Sequence, residues 1–162
     1  MTSQTCGVVL IHSAAAALRP HVSWAVGAAL GAPDHLEWTP QPAERGAWRA
    51  EQEWRAPAGF AARLATVLQR FPDLRFEVTE EPTALTAGLR FSFTPRLGLF
   101  QAMAAPSGDI VVDENRLHEA LRRCESRPHE LAAAIRRLLG QPWDDELEPY
   151  RYAGQTRWLR VV

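Results

Sequence analysis

Apolar and polar positions along this chain fall into alternating stretches of period two and period 3.6, most clearly in the first 81 residues. Val8–Ile11 is a short, fully apolar run, as expected of a strand covered on both faces. Leu18, Val22, Ala25, Val26 and Ala29 then recur at helical spacing. Pro20 sits where a first helical turn tolerates it, and Gly31 and Pro33 provide the stop. Leu36–Thr39 predicts a short strand closed by Pro40 and Pro42. Trp48, Ala50, Gln52 and Trp54 alternate with Arg49, Glu51, Glu53 and Arg55, a period of two. The order then repeats. After Pro57 and Gly59, Phe60, Leu64, Val67, Leu68 and Phe71 form one helical face ended by Pro72, and Leu74, Phe76 and Val78 alternate with Arg75, Glu77 and Thr79.

Strand, helix, strand, strand, helix, strand over residues 7–81 is the order of a ferredoxin-like split βαβ core. Right-handed crossovers put both helices on one face of such a sheet. The charged side of the 48–55 strand is then expected to look away from them.

The second half is expected to pack on that core as an extension of the same domain, spanning residues 83–162. Thr83–Gly88 is a turn-rich link, after which Leu89, Phe91 and Phe93 alternate with Arg90, Ser92 and Thr94. Pro95-Arg96 turns the chain into Leu97–Met103, giving a hairpin that extends the sheet or caps its open face. Ile110–Val112 predicts a further short strand. Asp113 has the character of an N-cap, with Glu114 in the first turn and Leu117, Ala120, Leu121 and Cys124 as the buried stripe. Pro128 opens another helix, with Leu131, Ile135, Leu138 and Leu139 facing inward, Arg136 and Arg137 in its last turn and Gly140 as its stop. Arg157–Val162 predicts a return strand. The fold class is therefore α+β, a βαββαβ core with a C-terminal hairpin, a two-helix extension and a return strand.

Composition narrows the chemistry. A chain of 162 residues buries roughly 70% of its unfolded surface if it folds as one domain, so neither a disulfide nor a metal is needed for stability. The net charge of -1 makes no electrostatic case for nucleic acid or an anionic membrane. All 18 basic residues are arginine. The absence of lysine removes Schiff-base catalysis and a P-loop lysine. Cys6 and Cys124 belong to no CxxC pair, so a buried structural role is expected for both. The apolar stretch Gly7–Leu18 lacks a basic leader and is interrupted by His12, unlike a signal peptide, and no run approaches the ~18 apolar residues of a membrane span. The expectation is a cytoplasmic protein without a cofactor, with no nucleic-acid or membrane partner, and with a protein partner or a homodimer left open.

Several segments carry a family likeness: Trp38-Thr-Pro-Gln-Pro42, Phe76-Glu-Val-Thr-Glu-Glu-Pro82 and the run from Trp143 through Gly154, together with His12-Ser-Ala14 and Pro20–Ala25. In these the chain resembles domain-of-unknown-function family 3145, an uncharacterised actinobacterial family, over nearly its whole length. The resemblance brings no established activity and no catalytic residues. It implies a cytoplasmic protein of a high-GC bacterium, in keeping with the arginine usage, and an association with type II fatty-acid synthesis.

The candidate binding residues are His12, Trp24, Trp38, Trp143, Asp144, Asp145, Glu146, Glu148, Tyr150 and Arg151. His12 ends the first strand and is followed by Ser13. Neighbouring strand residues point to opposite faces, so the pair by itself makes no nucleophile and base, and a hydrogen-bonded structural histidine is the simpler reading. Four carboxylates beside Trp143 and Tyr150 admit three readings: an internal network answered by arginines of the preceding helices, an amphipathic docking patch, or a site for a hard divalent cation. The cation reading lacks the loop spacing of an EF-hand. An acidic partner such as an acyl carrier protein would instead need an arginine surface, for instance Arg122, Arg123, Arg136 or Arg137. Trp48 and Trp54 fit the core alternation, whereas Trp24 falls off its helix's apolar stripe and Trp38 precedes two prolines; these two are the best exposed or groove-lining aromatics.

No nucleophile constellation appears, which favours a non-catalytic binding or regulatory module, accessory to fatty-acid synthesis if the family association holds. The first rival is a small enzyme for an acyl or carboxylate substrate, with His12 as acid or base and arginines holding the anion. It requires a cavity of roughly 300 Å3 or more, lined by apolar groups, in which His12 and an arginine converge. A structural homodimer subunit is the other alternative.

Overall fold

A computed structural model describes residues 4–31 and 36–153. Its strands are β1 (Gln4–Ala15), β2 (Thr39–Pro40), β3 (Ala47–Pro57), β4 (Arg75–Glu80), β5 (Gly88–Thr94), β6 (Gly98–Ala104) and β7 (Ile110–Val111). Its helices are α1 (Arg19–Leu30), α2 (Phe60–Leu68), α3 (Glu114–Cys124), α4 (Leu131–Leu138) and α5 (Gln141–Tyr152). Among the described residues the strands form one antiparallel sheet in the order β2-β3-β1-β4-β5-β6-β7. The protein is α+β, as its periodicities predict.

The two helices of the first half share one face of this sheet. Val9 and Ile11 of β1, Trp54 of β3, Phe76 and Val78 of β4 and Phe91 of β5 meet Val22 and Val26 of α1 and Leu64 and Leu68 of α2 in one buried cluster. α1 follows the sequence reading closely: Pro20 is in its first turn and Gly31 ends it at φ 72°, a left-handed conformation that glycine adopts without a Cβ penalty. The N-terminus of α2 is finished by a side chain from the sheet. Glu80, buried on β4, accepts hydrogen bonds from Gly59 N and Ala61 N at 2.8 and 2.9 Å, placing a carboxylate where the helix has unpaired N–H groups and positive charge.

The structure decides one choice that the sequence leaves open and differs from expectation in three respects. The β5–β6 hairpin extends the sheet beyond β4, the first of its two expected placements. The strand read at Leu36–Thr39 is confined to Thr39–Pro40. Gln141–Tyr152, for which the sequence reading gives no element, is the helix α5, so three helices follow the sheet where two were expected. Leu117, Leu121, Ile135 and Leu139 are exposed rather than inward-facing. α3 and α4 pack chiefly on each other, and α4 on α5, so only Ala120, Cys124 and Leu138 of the two stripes are buried. The return strand expected at Arg157–Val162 lies outside the described residues.

α5 covers the sheet face opposite α1 and α2, against β1 and β5. Gly140 at φ 81° sets its start and Pro142 occupies its first turn. Trp143 and Leu147 are its buried anchors, one turn apart. Trp143 packs on Phe100 of β6 with ring centroids 5.0 Å apart and donates its indole N–H to Gly98 O at 2.8 Å. That contact fixes the start of α5 over the hairpin, and its far end then reaches β1.

Candidate functional site

Under α5 lies a carboxylate that the strand pattern of β4 places away from the helical core. Phe76 and Val78 belong to the core cluster, so Glu77 faces α5. Only 5% of its surface is exposed. His12 Nε2 donates to Glu77 Oε2 at 2.7 Å, since a carboxylate can only accept. Arg151 of α5 donates through Nε at 2.8 Å and Nη2 at 2.5 Å, one bond to each oxygen. Arg90 Nη2 and Ser92 Oγ of β5 donate to Oε1 at 2.9 and 3.2 Å. Asp144 closes the group by accepting from both Arg90 and Arg151, the latter at 2.7 Å. Two carboxylates thus answer two guanidiniums, with the imidazole as a further donor.

This arrangement sets the electrostatics. Burial pushes the Glu77 carboxyl up, but hydrogen bonds and charge from His12 and Arg151 outweigh it and hold the group well below its ordinary value. Burial likewise opposes the charge on Arg151, while Glu77 and Asp144 more than restore it and raise its pKa. Glu77 and Arg151 are therefore both held in their charged forms against the burial that opposes each. A fork-to-carboxylate bond of this kind fixes geometry as well as charge, so α5 is locked to β4.

Beside the network a cavity of about 300 Å3 opens between β1, β3 and α5, walled by His12, Thr39, Arg49, Glu51, Tyr150 and Arg151 among others. Arg49 is held from two sides: Nη1 donates to Ala153 O at 2.6 Å, and Nε approaches Thr39 Oγ1 at 3.4 Å. Glu51 is the unresolved group of the wall. Its Oε2 is buried without a hydrogen-bond partner among the described residues. Burial first, and Glu53 second, push its carboxyl up to about 7, so it passes between hydrogen-bond donor and anion near neutrality. Tyr150 lies under the Arg75 guanidinium, 4.7 Å from ring centroid to carbon, and burial raises its hydroxyl pKa.

The candidate residues of the sequence separate into distinct places. His12 and Arg151 share Glu77, Asp144 joins the group through Arg90 and Arg151, and Tyr150 lines the cavity beside His12 and Arg151. Glu146 pairs with Arg96 of the β5–β6 turn, while Asp145 and Glu148 are exposed. The arginines that answer the acidic run are therefore Arg90, Arg96 and Arg151, from the hairpin and from α5 itself, not from the preceding helices. Trp143 is 4% exposed and cannot anchor a docking patch. Trp38 is half-buried against the core and donates to Ser23 Oγ at 3.0 Å. Trp24 stands apart on α1, exposed. Among the described residues no group of three or more His, Cys, Asp or Glu is placed to hold a metal ion. Cys124 is buried as expected, but Cys6 is half-buried, with its thiol directed to Glu81 Oε2 at 2.9 Å.

Gln41 is not among the candidates from sequence, and Glu77, Arg49, Glu51 and Arg90 enter only as members of an alternating charged face, read as solvated cross-strand pairs, as a dimer surface, or as a site covered by the hairpin and tail. Glu77, Arg49, Glu51 and Arg90 look like ordinary members of alternating charged faces, and what distinguishes them is the helix laid over them. Gln41 has no local signal. Its buried amide donates to His12 O at 2.6 Å and to Tyr150 O at 3.3 Å and accepts from Ala43 N, tying β1 to the end of α5.

Comparison with known proteins gives one assignment. Residues 8–161 match the family described as protein of unknown function (DUF3145), and the chain belongs to that family, as its motifs suggest. No curated protein and no solved structure matches it. Among the described residues no helix is long and apolar enough to cross a membrane.

Proposed function

We propose that this DUF3145 member is a non-catalytic binding module that takes a small polar ligand in the cavity between β1, β3 and α5. The observation that carries the reading is Glu51, with a buried and unpartnered oxygen in the wall of a 300 Å3 cavity that also holds a pre-oriented arginine, Arg49. An unpaired buried oxygen costs about 1–3 kcal/mol, a penalty that a ligand donating to it relieves. The cavity is at the lower end of the size range of small-molecule sites. Arg49 offers a guanidinium to a carboxylate or carbonyl, and Glu51 accepts a hydroxyl or amine of the same compound. The association with type II fatty-acid synthesis that the resemblance implies makes acyl thioesters and short hydroxy or amino acids the first compounds to try.

A thermal-shift screen of these compounds, with acyl carrier protein and divalent metals alongside, tests the reading, because any ligand preferring the native state raises the melting temperature. A stabilising compound is expected, with its effect lost in Arg49→Ala and reduced in Glu51→Ala. A compound that stabilises both variants as well as the wild type, or a screen with no stabiliser, speaks against the cavity.

The enzyme reading keeps one supporting observation: His12 lines this cavity and is oriented by a buried carboxylate, the geometry of a positioned acid or base. Turnover of a bound acyl compound that disappears in His12→Gln, while binding survives, would favour it. The homodimer reading draws on the exposed stripe of α3 and α4, and sedimentation across a concentration series tests it. For the fold, we read β2-β3-β1-β4 with α1 and α2 on one face as a ferredoxin-like split βαβ unit extended by β5–β7; that strand order supports the reading.

A further inference from the structure

The face opposite the cavity carries a second concavity. α1 and α2 lie side by side over the sheet, and a groove of about 510 Å3 runs between them, lined by His21, Trp24, Arg63, Val67, Arg70 and Phe71 among others. Trp24 is 76% exposed, unusual for the side chain with the most apolar surface to bury. Arg63 and Arg70 are also exposed. The arginine ion pairs of the described residues are made by other guanidiniums.

Charge is distributed unevenly here. The chain as a whole nearly balances 18 basic residues with 19 acidic ones. Residues 19–30 and 60–71 nevertheless contain no Asp or Glu, while supplying Arg19, Arg63 and Arg70. Arg63 and Val67 stand one turn apart on α2, and Arg70 follows in the turn that ends it, its N–H bonded to Val67 O at 3.3 Å, so an apolar residue lies between the two guanidiniums in the groove wall. An indole and a phenyl ring border the same groove. Exposed apolar surface flanked by unpaired cations marks a contact surface for a partner of opposite charge.

We propose that this groove docks an acidic amphipathic helix of a protein partner. The partner helix lies along α2, with one carboxylate on Arg63, a second on Arg70 in the turn after it, and an aliphatic or aromatic residue between them against Trp24, Val67 and Phe71. Such helix-in-groove recognition reads anchors at i, i+4 and i+7. Its apolar centre and small number of cations fit a protein better than a phosphate backbone, which binds through many distributed cations.

The test is a displayed library of helical peptides about 18 residues long, five turns, with acidic and apolar positions randomised and the full chain as target. Enriched peptides are expected to carry carboxylates on both sides of an apolar residue along one helical face. In fluorescence anisotropy their affinity is expected to fall about tenfold or more in Arg63→Glu, Arg70→Glu and Trp24→Ala, and to weaken with added salt. All three positions are exposed, and unchanged far-UV circular dichroism controls for folding. No enrichment, enrichment without acidic preference, or binding indifferent to these three variants overturns the proposal. So does tighter binding of a labelled oligonucleotide through the same residues, or self-association of the chain that the three variants abolish.

Discussion

Replacing Glu77 by Gln isolates the contribution of the buried network, because shape is kept while one charge is removed. The variant leaves Arg151 and Arg90, 9% and 22% exposed in their side chains, facing an amide in place of a carboxylate. One amide position now presents N–H groups to guanidinium donors, so bonds are lost as well as charge. Breaking one partner of a buried ion pair costs about 3–5 kcal/mol. Asp144 continues to answer both arginines, which places the expectation at the low end, about 3 kcal/mol. For a chain of this size each kcal/mol moves the melting temperature by about 2–4 °C, so Glu77→Gln should melt about 6–12 °C lower. Urea denaturation and calorimetry at pH 7 measure both quantities, with the exposed Glu81→Gln as the control. The pH dependence supplies the second arm. The folded pKa of Glu77 lies below its ordinary value of 4.5, so its stabilisation is fully present above that pH and is lost as pH falls below it. The gap between wild type and variant should therefore narrow under acid. A gap below about 1 kcal/mol, or one constant from neutral to acid, would falsify the account of Glu77 as a desolvated, ion-paired carboxylate.

Three further perturbations test other parts of the structure. Glu80→Ala strips the two N–H groups at the start of α2 of their acceptor and should destabilise by about 1–3 kcal/mol, measured by urea unfolding, with Glu80→Gln recovering part of it. Gly7→Ala would bring a Cβ to 1.9 Å from Thr79 O and 2.5 Å from the Trp54 ring; a backbone atom cannot yield as a side chain can, so a loss of about 3 kcal/mol or a failure to accumulate soluble protein is expected. Glu51→Gln acts through pH with the opposite sign to Glu77. A carboxyl raised from 4.5 to about 7 binds its proton more tightly when folded, so wild-type stability declines across that interval. The variant should be flat there, overtaking the wild type by up to about 1 kcal/mol at pH 8 once solvent screening is allowed for.

Helical stripes and alternating strands are written locally, which is why α1, α2, β3, β4 and the β5–β6 hairpin follow from the chain alone. The N-cap at Asp113 is equally local, and its side chain does accept from Arg116 N at 3.0 Å. α5 was legible in principle. Trp143, Leu147 and Tyr150 stand at i, i+4 and i+7, but four carboxylates and Pro149 within the same segment resemble an irregular tail. The helix tolerates them because the arginines that neutralise Asp144 and Glu146 arrive from β5 and its turn, far off in sequence. The exposed stripes of α3 and α4 failed for the converse reason: periodicity says which side of a helix is apolar and cannot say what will cover it. Charged-face alternation likewise predicts that Arg49, Glu51, Glu77 and Arg90 share a side of the sheet, while the cavity depends on where α5 is anchored.

The feature that shapes the site most is a single-residue irregularity in β1. Along this strand Ile11 lies opposite Ala50 on β3 and Phe76 on β4, but the next pairs are Ala14 with Trp48 and Ser13 with Arg75. β1 thus spends an extra residue at His12-Ser13, a bulge. Strict alternation from Val9 and Ile11 would send Ser13 into the helical core; instead Ala14 is the residue that joins it. Ser13 is left to donate to Glu44 at 2.6 Å, and Glu44 also pairs with Arg75, the residue over Tyr150. Two consecutive polar residues therefore both reach charged groups away from the helical core, His12 at Glu77 and Ser13 at Glu44, which the alternation of an unbroken strand forbids. The bulge has a further consequence at His12, whose carbonyl is taken by the side chain of Gln41. The same amide reaches Tyr150 O at the end of α5, so strand irregularity, loop and helix terminus are joined through one buried side chain. Histidine is consequently held at both ends, by Gln41 through its backbone and by Glu77 through its ring, in the wall of the cavity. Bulges concentrate where a strand must re-aim a side chain, and here the re-aimed residue is the one that touches both the ion network and the open space beside it.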